Sequence, residues 1–276
     1  MSIIKGEGLD RTDIITPFKD ISFSHADAEQ LASQTSVMRI LPDVNVLKIG
    51  GQSIMDRGRS AVMPILDELI ANQDKHKMLL GVGGGTRARH AYAVALDLGM
   101  PTQILAKLGV NVPVQNARML QMLLARHGGI LIDHDDFAKL PLYYRLGCLP
   151  IMPGMPPYEY WEKPAAVGRI PANRTDSGVW LTAEVLGAKS CTYIKDEKGL
   201  FTTNPKSDPN GTFIPKIHAQ ELLDMNLPDL VIEPIVLENL LHAKCSKEIQ
   251  IINGTIPGNI TRALNGEHVG TIIYAD

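Results

Sequence analysis

The chain has 276 residues, of which 45% are hydrophobic, and its formal net charge is −3. That is enough apolar material for one large α/β unit or two small ones, and the slightly acidic balance gives no electrostatic footprint for nucleic acid. Cys148, Cys191 and Cys245 lack metal-ligand spacing and read as reduced thiols, and no signal-peptide segment or run of about 20 apolar residues is present, so a cytoplasmic protein with no membrane partner is expected.

Residues 1–39 are polar, mixed in charge and without periodicity. They read as an N-terminal arm, partly extended, with a short helix over Ala26–Ala32. The arm is either a disordered tail or a reach to a neighbouring subunit. From Ile40 the pattern changes, and 40–276 reads as one domain of alternating strands and helices. Val44–Ile49 is the first strand. The helix Arg57–Ile70 follows, with Ala61, Ile65, Leu66 and Leu69 on one face. Next come a strand at Met78–Val82, helices at Thr86–Leu98 and Val114–Arg126, and strands at Gly129–Asp133 and Cys148–Met152. The segment Pro153–Asn173, with Pro156, Pro157, Pro164 and Pro171 around Tyr158, Tyr160 and Trp161, is too long for an ordinary connection. The helix Asp176–Leu186 and the strand Ser190–Lys195 lead into a polar loop, Thr202–Pro215. A helix at Ile235–Ala243 and strands at Glu248–Asn253 and Thr271–Tyr274 close the chain. Such alternation gives a mostly parallel sheet covered on both faces, with ligands at the C-terminal strand ends.

Two glycine-rich turns fall at that edge. Lys48-Ile49-Gly50-Gly51-Gln52-Ser53 ends the first strand, and Gly81-Val82-Gly83-Gly84-Gly85-Thr86 ends the second. Glycines let backbone N–H groups approach an oxyanion, and a lysine adds a mobile point charge. A helix N-terminus behind each turn completes the chemistry of a phosphate site.

Lys48-Ile49-Gly50-Gly51, then Thr175-Asp176-Ser177-Gly178 opening a helix, then Lys195-Asp196-Glu197-Lys198-Gly199-Leu200-Phe201-Thr202-Thr203-Asn204-Pro205, stand in the order of the amino acid kinase family, which this chain resembles over about residues 40–276. The closing segments Asn253-Gly254, Pro257-Gly258-Asn259 and Gly266–Thr271 resemble its uridine monophosphate kinase branch. Six further blocks resemble the molybdenum storage subunits of this family, nearer their β type. They are Ile40–Asp43, Lys48–Ser53, Asp56–Arg59, Gly85–His90, Gly154–Tyr158 and Ala263–His268.

The resemblance implies a three-layer αβα sandwich and phosphoryl chemistry with ATP and Mg2+. It implies uptake of molybdate or tungstate, stored as polyoxometalate clusters inside a hexameric cage of like or paralogous subunits. Lys48 then bridges the β- and γ-phosphates, and Asp176 orients the lysines or the magnesium shell. Gly50, Gly51, Lys195, Asp196, Gly199, Leu200, Phe201, Asn204, Pro205 and Lys206 hold the nucleotide. Gly84, Gly85, Thr86 and Arg87 meet the substrate oxyanion; residues i and i+2 of a helix cannot both face one ligand, and Arg87, nearer the turn, is preferred over Arg89. His134-Asp135-Asp136 is weighed both as a helix start with acidic residues in its first turn and, through His134, as an oxometalate ligand. Met155 is a candidate plug in the cage wall.

Departures from the kinase pattern weaken a nucleotide acceptor. Pro153–Arg174 replaces the Gly-Thr-Gly-Asn stretch, Thr86 replaces Asn, Lys198-Gly199 replaces Asp-Gly, and Asn204-Pro205 replaces Asp-Pro. Two other readings stay open. One is a kinase acting on UMP or a small acid; the other is an ATP-binding structural subunit that hydrolyses little.

Overall fold

Short apolar runs rich in Val, Ile and Leu set the central strands of this protein. The computed structural model describes residues 3–5, 12–14, 36–208, 210–227 and 229–276. Backbone contacts divide the chain into Met1–Met38 and Arg39–Asp276. In the first unit β1 (Ile3–Lys5) pairs antiparallel with β2 (Thr12–Ile14). The helix expected at Ala26–Ala32 lies outside the described residues.

The second unit opens with β3 (Val44–Ile49), α1 (Arg59–Asn72), β4 (Lys77–Val82), α2 (Thr86–Asp97) and α3 (Thr102–Leu123). It continues with β5 (Gly129–Leu131), α4 (Leu140–Arg145), β6 (Leu149–Pro153), α5 (Thr175–Leu186) and β7 (Ser190–Lys195). A ribbon of β8 (Leu200–Phe201) and β9 (Phe213–Ile214) precedes β10 (Lys216–His218) and α6 (Ala219–Asp224). The chain ends with α7 (Pro234–Leu240), β11 (Glu248–Asn253), α8 (Asn259–Leu264) and β12 (Thr271–Tyr274).

Eight strands form one sheet in the order β10-β12-β11-β7-β3-β4-β6-β5. The stretch from β11 to β5 is parallel, and only the β11–β12 pairing is antiparallel. Strand residues alternate between faces, and the two cores show it. Val44 and Val46 of β3, Leu79 of β4, Tyr193 of β7 and Ile251 of β11 pack with α5, α6 and α7. Leu47 and Ile49, Leu80, Ile194 and Ile252 pack on the opposite face with α1, α3 and α8. The result is a three-layer αβα sandwich with a mostly parallel sheet. Among the described residues no helix is long and apolar enough to cross a membrane.

The third helix departs from expectation. It starts at Thr102 and runs through Pro113 rather than beginning at Val114. Proline lacks an N–H and crowds the preceding turn, which is why the sequence reads as a boundary there. The Pro113 ring lies close to Gly84, so the interruption serves the packing of the second glycine turn. The strand expected at Gly129–Asp133 stops at Leu131, because Asp133 turns away to cap the next turn of helix. The short helices α4, α6 and α8 span too few turns for an apolar period to show.

The connections position the site. From β3 the chain moves to β4, out to β5 and β6, then returns to β7 on the other side of β3. The crevice beyond the C-terminal ends of β3, β4 and β7 is therefore a topological switch point, where open α/β sheets bind ligands.

Candidate functional site

A cleft of about 880 Å³ opens at that edge. Lys48 occupies an even position of β3, so its side chain falls on the α5 side of the sheet, with Val44 and Val46. It is 4% exposed and its ammonium donates to Asp176 Oδ1 on the first turn of α5. Lys195, at the end of β7 and on the same face as Tyr193, brings its Nζ to 3.4 Å from that same oxygen. The structure thus gathers three of the expected residues from three separate elements, with Lys48 and Asp176 buried and Lys195 partly exposed.

Electrostatics divide the carboxylates of this site. Burial alone would raise the Asp176 carboxyl, but Lys195 and Lys48 outweigh it and hold the group below the usual carboxylate range. Burial, with the charge of Lys48, brings Lys195 down to about 8 despite the attraction of Asp176. Glu233 lies beside them and is pushed up by burial and by the charge of Asp176. The two neighbouring carboxyls are thus shifted in opposite directions by their surroundings.

The two glycine turns pack backbone on backbone. A Cβ on Gly51 would lie 2.2 Å from Gly85 N, and one on Gly83 would lie 2.6 Å from Gly51 N. Gly85 also adopts φ +74, a conformation that favours glycine. The Gly50 N–H is spent on Ile194 O at 3.1 Å, and the Gly83 N–H on Ile49 O at 2.9 Å. The Thr86 N–H is held by Asp56 Oδ2 at 2.6 Å. Gly50 and Thr86 therefore shape the turns rather than offer amides to a ligand. Gly51, Gly84 and Gly85 line the cleft, and among the described residues their N–H groups have no protein partner.

Arg87 points elsewhere. Its guanidinium bonds Gln115 Oε1 at 3.2 Å and Asn116 Oδ1, both on α3. Arg89, about 200° further round α2, lines the cleft with Tyr92. The two arginines diverge, but it is Arg89, not the expected Arg87, that reaches the cleft. The helix face that packs on α3 takes Arg87.

On the other side of the cleft, Asp196 Oδ2 accepts from Arg57 and from Lys206, each at 2.8 Å. Gly199, Phe201, Asn204, Pro205 and Lys206 line the cleft. Asn204 donates to Asp229 Oδ2 at 2.9 Å, and Phe201 packs on Phe213 with ring centres 5.5 Å apart. Leu200 is different: its side chain is in the core, and its N–H bonds Thr271 Oγ1 at 2.8 Å.

His134 lies outside the cleft. Asp133 caps the 3₁₀ turn His134–Lys139 in a capping box with Asp136, which accounts for the acidic residues there. The His134 ring packs on Phe137, and burial lowers its pKa. Among the described residues no three His, Cys, Asp or Glu side chains gather as metal ligands. Met155 is buried and lines the cleft.

Four contributors escaped the sequence reading: Asp56, Tyr92, Arg174 and Glu233. Arg174 lines the cleft with its Nε 3.7 Å from Glu233 Oε1. Glu233 accepts from the Asp176 N–H at 3.1 Å across 57 positions. Its one signal was Glu-Pro at the start of an apolar helical pattern.

Comparison with known proteins agrees with this geometry. Residues 43–233 match the amino acid kinase family. The molybdenum storage protein subunit beta of Azotobacter vinelandii (strain DJ / ATCC BAA-1303) is 47% identical over 254 residues, 92% of this chain and 94% of that protein. Uridylate kinase of Natronomonas pharaonis is 27% identical over 82% of this chain and 96% of that protein. Among solved structures, the UMP kinase of Bacillus anthracis aligns with a TM-score of 0.65 at 19% identity, covering 85% of this chain and 96% of its own. The uridylate kinase of Archaeoglobus fulgidus aligns with a TM-score of 0.60 at 23% identity, over 83% of this chain and 99% of its own. With the Lys48 turn, the Asp176 helix and the β7 lysine all inside the matched span, the chain belongs to the amino acid kinase family.

Proposed function

We propose that this protein uses Mg–ATP to take up molybdate or tungstate and stores the metal as polyoxometalate clusters inside an oligomeric, hexameric cage in the cytoplasm. The observation that carries the reading is the Lys48–Asp176–Lys195 group at the cleft lined by the paired glycine turns. It occurs in a chain 47% identical to a protein named as a molybdenum storage subunit.

Phosphoryl transfer asks the protein for positioning and charge. Lys48 and Lys195 would meet the β- and γ-phosphoryl oxygens, with Asp176 holding both ammonium groups in place. The Gly51, Gly84 and Gly85 amides, with Arg89 and Arg174, would hold the tetrahedral oxyanion opposite. The bond from the γ-phosphorus to the ADP oxygen breaks, and a new one forms to an oxygen of the oxyanion or of water. Asp196 is a carboxylate at the cleft whose Oδ2 faces Arg57 and Lys206, and its other oxygen is a donor of the kind magnesium takes. It is the residue that would hold the ion, which supplies charge neutralisation at the phosphates. The relative is called a subunit beta, which supports assembly with a paralogous partner.

A second reading, a kinase for UMP or a small acid, is favoured by 27% identity to a uridylate kinase across 96% of that protein. A third is an ATP-binding structural subunit that hydrolyses little. One experiment separates them. The chain, alone and co-expressed with its paralogue, is incubated with Mg–ATP, with and without molybdate, desalted, and analysed by elemental mass spectrometry while ADP is measured. Metal retained only after ATP supports storage. Phosphorylated UMP without retained metal supports the second reading. Bound ATP with negligible ADP supports the third.

A further inference from the structure

We propose that Glu233 is a positioning residue of this site: its carboxylate and its backbone amide together hold Asp176 in the orientation that presents Oδ1 to both lysines. The inference rests on reading Lys48, Asp176 and Lys195 as the phosphoryl-transfer centre.

The first turn of any helix carries N–H groups with no partner inside the helix. In α5 the residue in the capping position is Arg174, whose side chain caps nothing. The cap comes instead from the residue before α7. Glu233 Oε1 accepts from the Asp176 N–H at 3.1 Å, and Oε2 accepts from the Arg174 and Ser177 N–H groups, each at 3.1 Å. In return the Glu233 N–H donates to Asp176 Oδ2 at 3.3 Å. The two oxygens of Asp176 are thus divided: Oδ2 is turned to Glu233, and Oδ1 is left to Lys48 and Lys195.

Pro234 helps to fix this arrangement. A residue before proline is confined to extended backbone, and Glu233 sits at φ −65 and ψ 129. Its amide and side chain therefore reach the α5 turn from one restricted conformation. A serine or aspartate at position 174 would cap α5 from within the helix. Burying a second carboxylate next to Asp176, 8% exposed, is a costly way to cap a helix. The extra result of that cost is a fixed Asp176. The charged groups facing Glu233 are Asp176, Arg174 and Lys48; Lys195 and Tyr193 complete the surroundings.

The test is made on the full chain, with its paralogue where turnover needs it. Glu233→Gln keeps the shape and removes the charge. The expected result is a fall of about 100-fold in kcat for molybdate-dependent ATP turnover, the scale on which misplacement of a catalytic group acts, with KM for ATP changed less than about threefold. Glu233→Asp should recover part of the loss. Hydrogen exchange at amides 174–177 and the melting temperature are read alongside. Faster exchange with kcat within about twofold of wild type would make Glu233 a helix cap only and overturn the proposal. Should Glu233→Gln not fold, Glu233→Asp is read by the same kcat and KM against wild type. A wild type with no turnover on any oxyanion or nucleotide acceptor would instead overturn the reading of the site, and this inference with it.

Discussion

A lysine two residues before Gly50-Gly51 lands beside Asp176 because strand side chains alternate and α5 covers only one face of the sheet. Its charge is delivered to the floor of the cleft from a buried side chain, where a cation counts for more than at the surface. Under the storage reading, Lys48→Ala should therefore lower ATP turnover by at least about 100-fold, as loss of a single oriented donor does, and abolish metal retention. Asp176 keeps Lys195 as a partner, so the variant should still fold, which circular dichroism would check. Unchanged uptake would favour the structural-subunit reading. Lys195 gives a pH signature. With its pKa brought down to about 8 by burial, it is charged below that pH and neutral above it. Since kcat/KM reports the free enzyme, kcat/KM for Mg–ATP should fall as pH rises through about 8. Lys195→Arg, which keeps its charge, should extend the plateau. A profile flat through that pH would show that the Lys195 charge is not needed. Lys48, Lys195 and Asp176 were legible in the sequence because each sits at the end or start of an element next to its own marker. Glu233 was not, because its partners are 57 positions away and nothing local announces the contact. Arg87 was preferred over Arg89 because it stands nearer the turn; which face of α2 meets α3 is a property of packing.

At the scale of elements, α5 carries the site, and its placement depends on a residue that helix propensity would reject. Gly178 lies in the middle of its first two turns. Glycine to alanine inside a helix ordinarily adds about 1 kcal/mol of stability. Here a Cβ would lie 2.0 Å from Gly154 O and 2.6 Å from Pro156 N, both backbone atoms. The helix would have to lift off the segment after β6, an overpacking cost of about 1–3 kcal/mol. Gly178→Ala should therefore lower the melting temperature, and the shift of Asp176 should lower turnover as well. A raised melting temperature would show that α5 has room to adjust. Long elements were legible because their period repeats. β7, β11 and β12 fall at their expected bounds, since β-branched runs bounded by charge or glycine leave little choice. The start of α3 was not legible, because Pro113 imitates a boundary, and the close approach to Gly84 that explains it belongs to the folded state.

At the scale of the molecule, the parallel order of β11-β7-β3-β4-β6-β5 puts every functional strand end at one edge. A ligand bound there bridges β3, β4, β7 and α5 at once, so binding should be felt as global stability. A ligand that binds only the folded state adds RT ln(1 + [L]/Kd), about 2.7 kcal/mol at one hundred times Kd. For a domain of this size each kcal/mol raises the melting temperature by about 2–4 °C. Saturating Mg–ATP should then raise it by about 5–10 °C. No rise would remove ATP from all three readings together. With the rise in hand, metal retained after desalting discriminates among them. Under storage, retention follows ATP consumption and is lost in Lys48→Ala. Under the nucleotide kinase reading, the melting temperature rises further with UMP, and desalting leaves no metal. Under the structural-subunit reading, the rise persists, ADP stays at background, and Lys48→Ala leaves uptake by the assembled pair almost intact. Thermal shift and retained metal from one sample therefore connect the charge on Lys48 to the behaviour of the whole molecule.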